Sequence, residues 1–179
     1  MQAADVFFLR ADICQLGMDQ RKVNMLAREY ASTKKIRFKP SIISHHMLMG
    51  LQEGQEKMSK SVPDSAIFME DSADDVKRKI RKGYCPPQVV EGNPILDYTK
   101  HIIFGFYGTM TCTIGEESIV YNTYTELEAD FVSGKLHPSD LKPAVTLAIN
   151  RILEPVRQHF ESGEPKKLLD KIKKFKITR

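Results

Sequence analysis

Two lysines three residues apart, Lys57 and Lys60, have the charge and spacing to bind a polyphosphate. Ser59 and Ser61 alternate with them, and a glycine before and a proline after the segment favour a loop. The lysines supply charge and the hydroxyls supply directional hydrogen bonds, so a mobile loop of this kind suits clamping the phosphates of a nucleotide. Taken alone, the five residues also fit a solvated basic turn.

A second polar pair, Gln2 and Asp5, lies at the start of the chain. On a helix this i, i+3 spacing puts both side chains on one side, and the two alanines between them leave room for a ligand. An amide and a carboxylate together suit an amino group and a phenolic hydroxyl. A site that pairs with a hydroxyl rejects an analogue lacking it, because its own polar group is then left unpaired. Asp5 could equally cap a helix or face solvent.

Asp19 and Gln20 follow Gly17 at the end of a β-friendly stretch over residues 11–16, and a helical pattern opens at Asp19. A strand, a glycine turn and a helix place backbone amides and a carboxylate where α/β folds bind ligands. Such a carboxylate can accept both hydroxyls of a ribose, and the glycine lets the backbone approach the sugar. Aspartate is also a favoured helix N-cap, so both roles stay open.

Asp140 stands just after His137-Pro138, at the start of a predicted long helix. A carboxylate there can accept hydrogen bonds from guanine, and it would also interact favourably with the helix dipole. The lysine-rich tail beyond residue 165 suits phosphates as well as it suits a solvated helix face. His45 and His46 would point to opposite sides of a strand and lack the partners of a zinc site, so both are interpreted as structural.

Four motifs, in this order, resemble those of class I aminoacyl-tRNA synthetases, specifically the tyrosyl enzymes of eukaryotic and archaeal type. They are Gln2-Ala3-Ala4-Asp5, Gly17-Met18-Asp19-Gln20, Lys57-Met58-Ser59-Lys60-Ser61 and Leu136-His137-Pro138-Ser139-Asp140-Leu141-Lys142. The resemblance continues weakly through residues 152–157. The family's HIGH-type motif has no counterpart, so the chain resembles the C-terminal half of such an enzyme.

The resemblance implies a role for each motif. Gln2, Asp5 and Gln20 would bind tyrosine, and Asp140 would bind the first anticodon base, G34. Two sets of residues complete these roles. The ATP-binding residues would be Gly17, Asp19, Met47, Leu48, Lys57 and Lys60, and the catalytic loop would consist of Lys57, Ser59, Lys60 and Ser61.

The implied chemistry is ATP-dependent activation of tyrosine followed by transfer to tRNA(Tyr), in the cytoplasm. ATP is then a substrate whose phosphates carry Mg²⁺, and neither a protein metal site nor a tightly bound cofactor is expected. Further partners would be the missing half of the catalytic domain and, in a full-length enzyme, a second copy in a homodimer or pseudo-dimer. The isolated chain is expected to be inactive. Two alternatives are a non-catalytic tRNA-binding or scaffolding relic and a tryptophanyl-tRNA synthetase, although Gln2 and Asp5 favour tyrosine.

Two departures from the family pattern bear on binding. The family often has two glycines where this chain has Leu16-Gly17. It also has an aromatic residue about 25 residues before the anticodon aspartate, on which the base stacks, whereas residues 113–118 contain none. Stacking contributes about 1–3 kcal/mol per base. Either anticodon affinity is lower or a neighbouring side chain such as Tyr107 takes over the stacking.

The elements that must position these residues suggest an α/β fold in two parts. Residues 1–85 are expected to be the C-terminal part of a Rossmann-type domain, with a second buried strand over residues 39–51. A connection rich in proline and glycine leads to a helical anticodon-binding domain over residues 86–179, with a hairpin between residues 107 and 121. The long helix from residue 139 is expected to kink at Pro155.

Composition is compatible with this organisation but does not identify it. The chain has 179 residues, of which 41% are hydrophobic, enough for a core. The net charge of +4 favours a polyanionic partner without requiring one. The three cysteines, Cys14, Cys85 and Cys112, form no CxxC pair and indicate a reducing compartment. No apolar run is long enough for a membrane span.

Overall fold

A computed structural model describes residues 1–55, 57–58 and 62–175, and the chain forms two compact units, residues 1–47 and residues from 48 onward. The first unit is an α/β layer. Its elements are α1 (Gln2–Phe8), β1 (Ile13–Gly17), a 3₁₀ turn (Met18–Gln20), α2 (Arg21–Thr33) and β2 (Ser41–His45). The strands are parallel and in register, with Gly17 opposite His45, so both strands end at the same edge.

The small core of the first unit lies between the sheet and the two helices. Val6, Cys14 and Ala27 form its centre, and the rings of Phe7 and Tyr30 meet with their centroids 5.7 Å apart. The predicted buried strand over residues 39–51 is wrong in length and burial: β2 has five residues, alternately exposed and half-buried. Ile43 is exposed because, within the described residues of this unit, the helices cover only one face of the sheet.

The second unit is mainly helical with one antiparallel hairpin. Its elements are a 3₁₀ turn (Pro63–Ser65), α3 (Ala73–Lys82), α4 (Pro94–Tyr98), a π-helical turn (Thr99–Ile103), α5 (Phe104–Tyr107), β3 (Met110–Ile114), β4 (Glu117–Tyr121), α6 (Tyr124–Ser133), α7 (Pro138–Phe160) and α8 (Gly163–Lys173). The hairpin and the long helix α7 follow the sequence prediction closely. Helix α7 continues through Pro143 and Pro155.

Local signals explain where several helices begin. The Ser72 hydroxyl accepts a hydrogen bond from the backbone N–H of Asp75 (3.1 Å) at the start of α3. The return bond of a capping box differs, because the Asp75 carboxylate accepts from the Ser72 hydroxyl (2.6 Å) and not from its backbone. Thr123 and Glu126 form a complete capping box at the start of α6.

A single core runs through the second unit. Val76 and Ile80 of α3 are fully buried in the same cluster as Leu127, Phe131 and Leu141. Residues 48–85 therefore share a core with the helical region, and this compact unit crosses the domain boundary expected after residue 85. None of the helices in the described part of the chain is both long and apolar enough to cross a membrane.

A buried ion pair ties the segment before α3 to that helix. The Lys79 ammonium, whose side chain is 4% exposed, donates to the Asp71 carboxylate (2.6 Å) and to the Ala66 carbonyl (2.9 Å). It also lies 4.5 Å from the centroid of the Phe68 ring. Since the Asp71 side chain is only 12% exposed, each charge depends on the other for compensation.

We expect Lys79→Met to lower the free energy of unfolding by about 3–5 kcal/mol, because it leaves the Asp71 carboxylate buried without its cation. The control is Lys77→Met, two residues away on the exposed face of α3, which should change it by less than about 0.5 kcal/mol. Urea unfolding followed by circular dichroism measures both. Equal stabilities of the two variants would contradict a structural role for this pair.

Candidate functional site

The lysine–serine segment belongs to a loop whose two ends are joined at its base. The backbone N–H of Leu51 donates to the Ser65 carbonyl (2.9 Å), and the Gln52 side-chain amide donates to the Asp64 carbonyl (3.1 Å). Leu51 is fully buried, and its carbonyl accepts from the N–H of Tyr84 (2.8 Å). The loop therefore begins and ends at a fixed point on the core of the second unit.

Within this loop, Lys57 is exposed, whereas Met58 is partly buried and packs against the main core. The Lys57 ammonium has no hydrogen-bond or ion-pair partner within residues 1–55, 57–58 and 62–175. An exposed ammonium suits an anionic ligand, and the neighbouring Met58 side chain contacts the core. Ser59, Lys60 and Ser61 lie outside the described residues, so their predicted catalytic roles stay predictions.

The far side of the loop is held by an ion-pair cluster that the sequence analysis did not identify. The Asp64 carboxylate accepts from the Arg78 guanidinium (2.6 Å) and from the Lys82 ammonium (3.2 Å) of α3. Hydrogen bonds from these two side chains lower the pKa of Asp64 below its usual value. Asp64 is therefore ionised at neutral pH and keeps the two α3 cations, Arg78 and Lys82, paired beside the loop.

The expected nucleotide residues of the first unit meet where its two strands end. Gly17 ends β1, Asp19 follows in the 3₁₀ turn, and Met47 follows β2. A side chain at Gly17 would overlap the Met47 sulfur and lie 2.8 Å from the Asp19 carboxylate. The glycine therefore has a packing reason as well as the predicted ligand-approach role. Leu48, the other residue expected to contact adenine, is half-buried against the core of the second unit.

Asp19 is exposed beside the end of β1. Its carboxylate accepts one hydrogen bond, from the Gln20 side-chain amide (3.1 Å), and makes no capping bond to α2. Asp19 is therefore not the N-cap of α2, a role that the sequence analysis left open. The Gln20 bond also joins an expected ribose ligand to an expected tyrosine ligand in one polar pair.

Gln2 and Asp5 occupy the first turn of α1, as the i, i+3 spacing predicts. Both are exposed, and Asp5 makes neither a cap hydrogen bond nor an ion pair with another described residue. The capping role for Asp5 is therefore excluded, and its carboxylate is available to a ligand. His45 bonds through Nδ1 to the backbone carbonyl of His46 (2.9 Å).

Asp140 lines a groove of about 740 Å³ in the second unit, between one face of α7, strand β3 and the end of α5. Strand β3 alternates, with Cys112 buried behind the groove and Thr111 and Thr113 exposed along it. Burial, assisted by the nearby Asp140 charge, raises the pKa of Cys112 to about 12, so the thiol is neutral. Asp140 lies in the first turn of α7, whose N-cap is supplied by His137 Nδ1 accepting from the N–H of Ser139 (3.2 Å).

Tyr107 lines the same groove, which brings together the anticodon aspartate and the aromatic residue suggested as a replacement for the missing one. The groove also contains Arg151, which sequence reasoning missed. The helical spacing of Asp140, Ala144 and Arg151, which places them on one face of α7, could have indicated that Arg151 lies near Asp140.

A family model described as tRNA synthetases class I (W and Y) matches residues 1–154. Among curated proteins, the chain is 56% identical to tyrosine–tRNA ligase 1, cytoplasmic, of Arabidopsis thaliana. That alignment covers the whole of this chain and 48% of the relative. The chain thus spans about half of that relative's length, and smaller shares of some others.

Two solved structures agree with this match. The tyrosyl-tRNA synthetase of Leishmania major in complex with tyrosinol superposes with a TM-score of 0.86 at 47% identity, over 99% of this chain and 29% of that chain. The tyrosyl-tRNA synthetase from Aeropyrum pernix gives a TM-score of 0.85 at 41% identity, over 96% of this chain and 51% of that chain.

Proposed function

The chain belongs to the class I tRNA synthetase family of the tryptophan and tyrosine enzymes, and we propose that it forms the ATP-loop and anticodon-binding half of a tyrosine–tRNA ligase. The observation that carries the proposal is that Asp5, Asp19 and Lys57, at the motif positions, are exposed, and that none of the three forms an ion pair with a described residue. The 56% identity to a tyrosine–tRNA ligase supports tyrosine as the amino acid. That relative's name also supports a cytoplasmic location.

The proposed reaction has two steps. In the first, the carboxylate of tyrosine attacks the α-phosphorus of ATP, the bond to the β-phosphate oxygen breaks, and pyrophosphate leaves with tyrosyl-adenylate formed. In the second, a ribose hydroxyl at the 3′ end of tRNA(Tyr) attacks the tyrosyl carbonyl and AMP leaves. Catalysis of the first step rests on positioning and on stabilising charge at the departing oxygens.

Each motif residue has a part in that scheme. Asp19 accepts hydroxyls of the ribose, and Lys57, with Lys60, neutralises the phosphates as charge moves to pyrophosphate. Gln2 and Gln20 hold the tyrosine, and Asp5 accepts from its phenol. Asp140 accepts from the edge of guanine in the anticodon. Magnesium enters with ATP, bound mainly by the phosphates.

Tyrosine-dependent ATP–pyrophosphate exchange tests the proposal directly, on the protein expressed from its whole reading frame. The expected result is exchange with tyrosine and none with tryptophan. Exchange with tryptophan instead would assign the other branch of the family. Binding of tRNA(Tyr) without exchange would support a non-catalytic tRNA-binding or scaffolding protein.

We expect the 179 residues expressed alone to give no exchange above background. The chain spans about half of the Arabidopsis relative, and Phe8, Ile13 and Ile43 in the first unit are each more than half exposed. Exposed apolar side chains of this kind favour self-association. Gel filtration and the same exchange assay on the purified chain check this, and robust tyrosine-dependent exchange would refute it.

A further inference from the structure

Helix α8 carries large apolar side chains on a side that is open to solvent. Leu168, Ile172 and Phe175 are 52%, 61% and 65% exposed. Their spacing of four and then three residues places them in one line along the helix and the turn after it, where the N–H of Phe175 donates to the Ile172 carbonyl (3.0 Å). We call these three residues the α8 stripe. Apolar residues at this spacing form the seam through which one helix packs against another.

The α8 stripe lies next to the side of the helix that contacts the rest of the unit. Within α8, Pro165 and Leu169 are half-buried and every other residue is exposed. Leu169 follows Leu168 by one residue, so the stripe lies about 100° around the helix from that contact. A second helix packed on the stripe would therefore also lie along the surface of this unit. A flat lipid surface would instead need an apolar side that faces away from the unit.

A row of lysines borders the α8 stripe. Lys167, Lys171 and Lys174 each precede one residue of the stripe, so their ammonium groups follow its edge. None of the three forms an ion pair with a residue that the structure describes. Residues 163–175 contain five lysines and two acidic residues. Two copies of α8 packed stripe to stripe would bring these lysines together, so a partner of opposite charge is favoured over a second copy of the chain.

We propose that α8 is a docking surface for an acidic amphipathic helix of another protein. Apolar side chains of the partner pack on the α8 stripe, and carboxylates beside them pair with the bordering lysines. An RNA would use the lysines alone, because its phosphates gain nothing from an apolar stripe. An 11-residue helix provides a small interface, which suits reversible association. The inference goes beyond the proposed ligase activity and does not depend on it.

A synthetic acidic helix tests the proposal on the protein expressed from its whole reading frame. The probe is a labelled peptide with leucines at positions i, i+4 and i+7 and glutamates beside them, and a scrambled peptide of the same composition is its control. Fluorescence anisotropy should show binding of the helical peptide and at least about tenfold weaker binding of the scrambled one. Ile172→Ala, which keeps a good helix former in α8, should weaken binding about tenfold because it removes buried apolar surface. Lys171→Gln should weaken binding about threefold in low salt and less in high salt.

Two matched control variants lie off the stripe. Val132→Ala shortens an apolar side chain of α6 that is 47% exposed. Lys166→Gln removes an exposed lysine of α8 that lies about 160° around the helix from Leu168. Both variants should bind the helical peptide like the parent protein.

Three results would overturn the inference. The first is parental peptide binding by the Ile172 variant, and the second is equal affinity for the helical and scrambled peptides. The third is a lack of peptide binding by the parent, whatever else α8 binds. In that case, binding of tRNA(Tyr) that depends on Lys171 but not on Ile172 would assign the lysines to RNA. Binding of vesicles of phosphatidylserine and phosphatidylcholine that depends on Ile172 would assign the stripe to a membrane surface.

Discussion

Lys57→Ala and Lys60→Ala are expected to slow tyrosyl-adenylate formation by about 10²–10³-fold each while tyrosine affinity changes by less than about twofold. The lysines act on charge that grows on pyrophosphate in the transition state, so their loss raises the barrier without weakening the ground-state complex with tyrosine. Lys57 is exposed and has no ion-pair partner among the described residues, so its substitution leaves none of their buried groups uncompensated. Single-turnover adenylate formation and equilibrium tyrosine binding separate the two effects.

The control for this experiment is Lys77→Ala, an exposed lysine of α3 that makes no ion pair with another described residue. It should leave both rate and affinity at the parental values. Equal losses of tyrosine affinity and of rate in the Lys57 variant would indicate that this residue holds the loop in shape. The fixed base of the loop, where Leu51 bonds Ser65 and Gln52 bonds Asp64, argues against that outcome, because these contacts do not involve Lys57.

Residues close together in sequence are the part of this fold that local reasoning predicts well. The start of the long helix near residue 139 and the hairpin between residues 107 and 121 each depend on side chains within a few positions of one another. Burial depends on partners elsewhere in the chain, and there prediction fails. The apolar run over residues 39–51 predicts a long buried strand, but pairing with β1 extends only over Ser41–His45.

The candidate site follows the same division. The motifs can be recognised in the sequence because each is a short string, and Asp5, Asp19 and Lys57 are exposed in the structure. The groove could not be predicted from the sequence, because Tyr107, Thr111 and Arg151 belong to three separate elements. These elements meet only when α7 packs against β3. The ion pairs that hold the loop were likewise unpredictable, since Asp64 meets Arg78 through a fold-back of the chain.

Asp5→Ala should reduce the preference for tyrosine over phenylalanine by at least about 100-fold. A site that hydrogen-bonds a substrate hydroxyl can reject the analogue lacking it by about 10⁴–10⁵, since the unpaired polar group makes that complex unfavourable. Removing the carboxylate removes the penalty for phenylalanine and the bond to tyrosine together. Competitive activation, measured as the ratio of kcat/KM for the two amino acids, reports the change.

Asp12→Ala is the matched comparison, because Asp12 is another exposed aspartate of the first unit whose carboxylate makes no ion pair with a described residue. It should keep the parental ratio. The direction of the change in the Asp5 variant carries the most information, because loss of a bond made only to tyrosine lowers kcat/KM for tyrosine and leaves that for phenylalanine equal or higher. A parallel fall for both amino acids would mean that Asp5 positions the common ammonium or the helix itself. The hydroxyl-reading role would then pass to another side chain of the pocket.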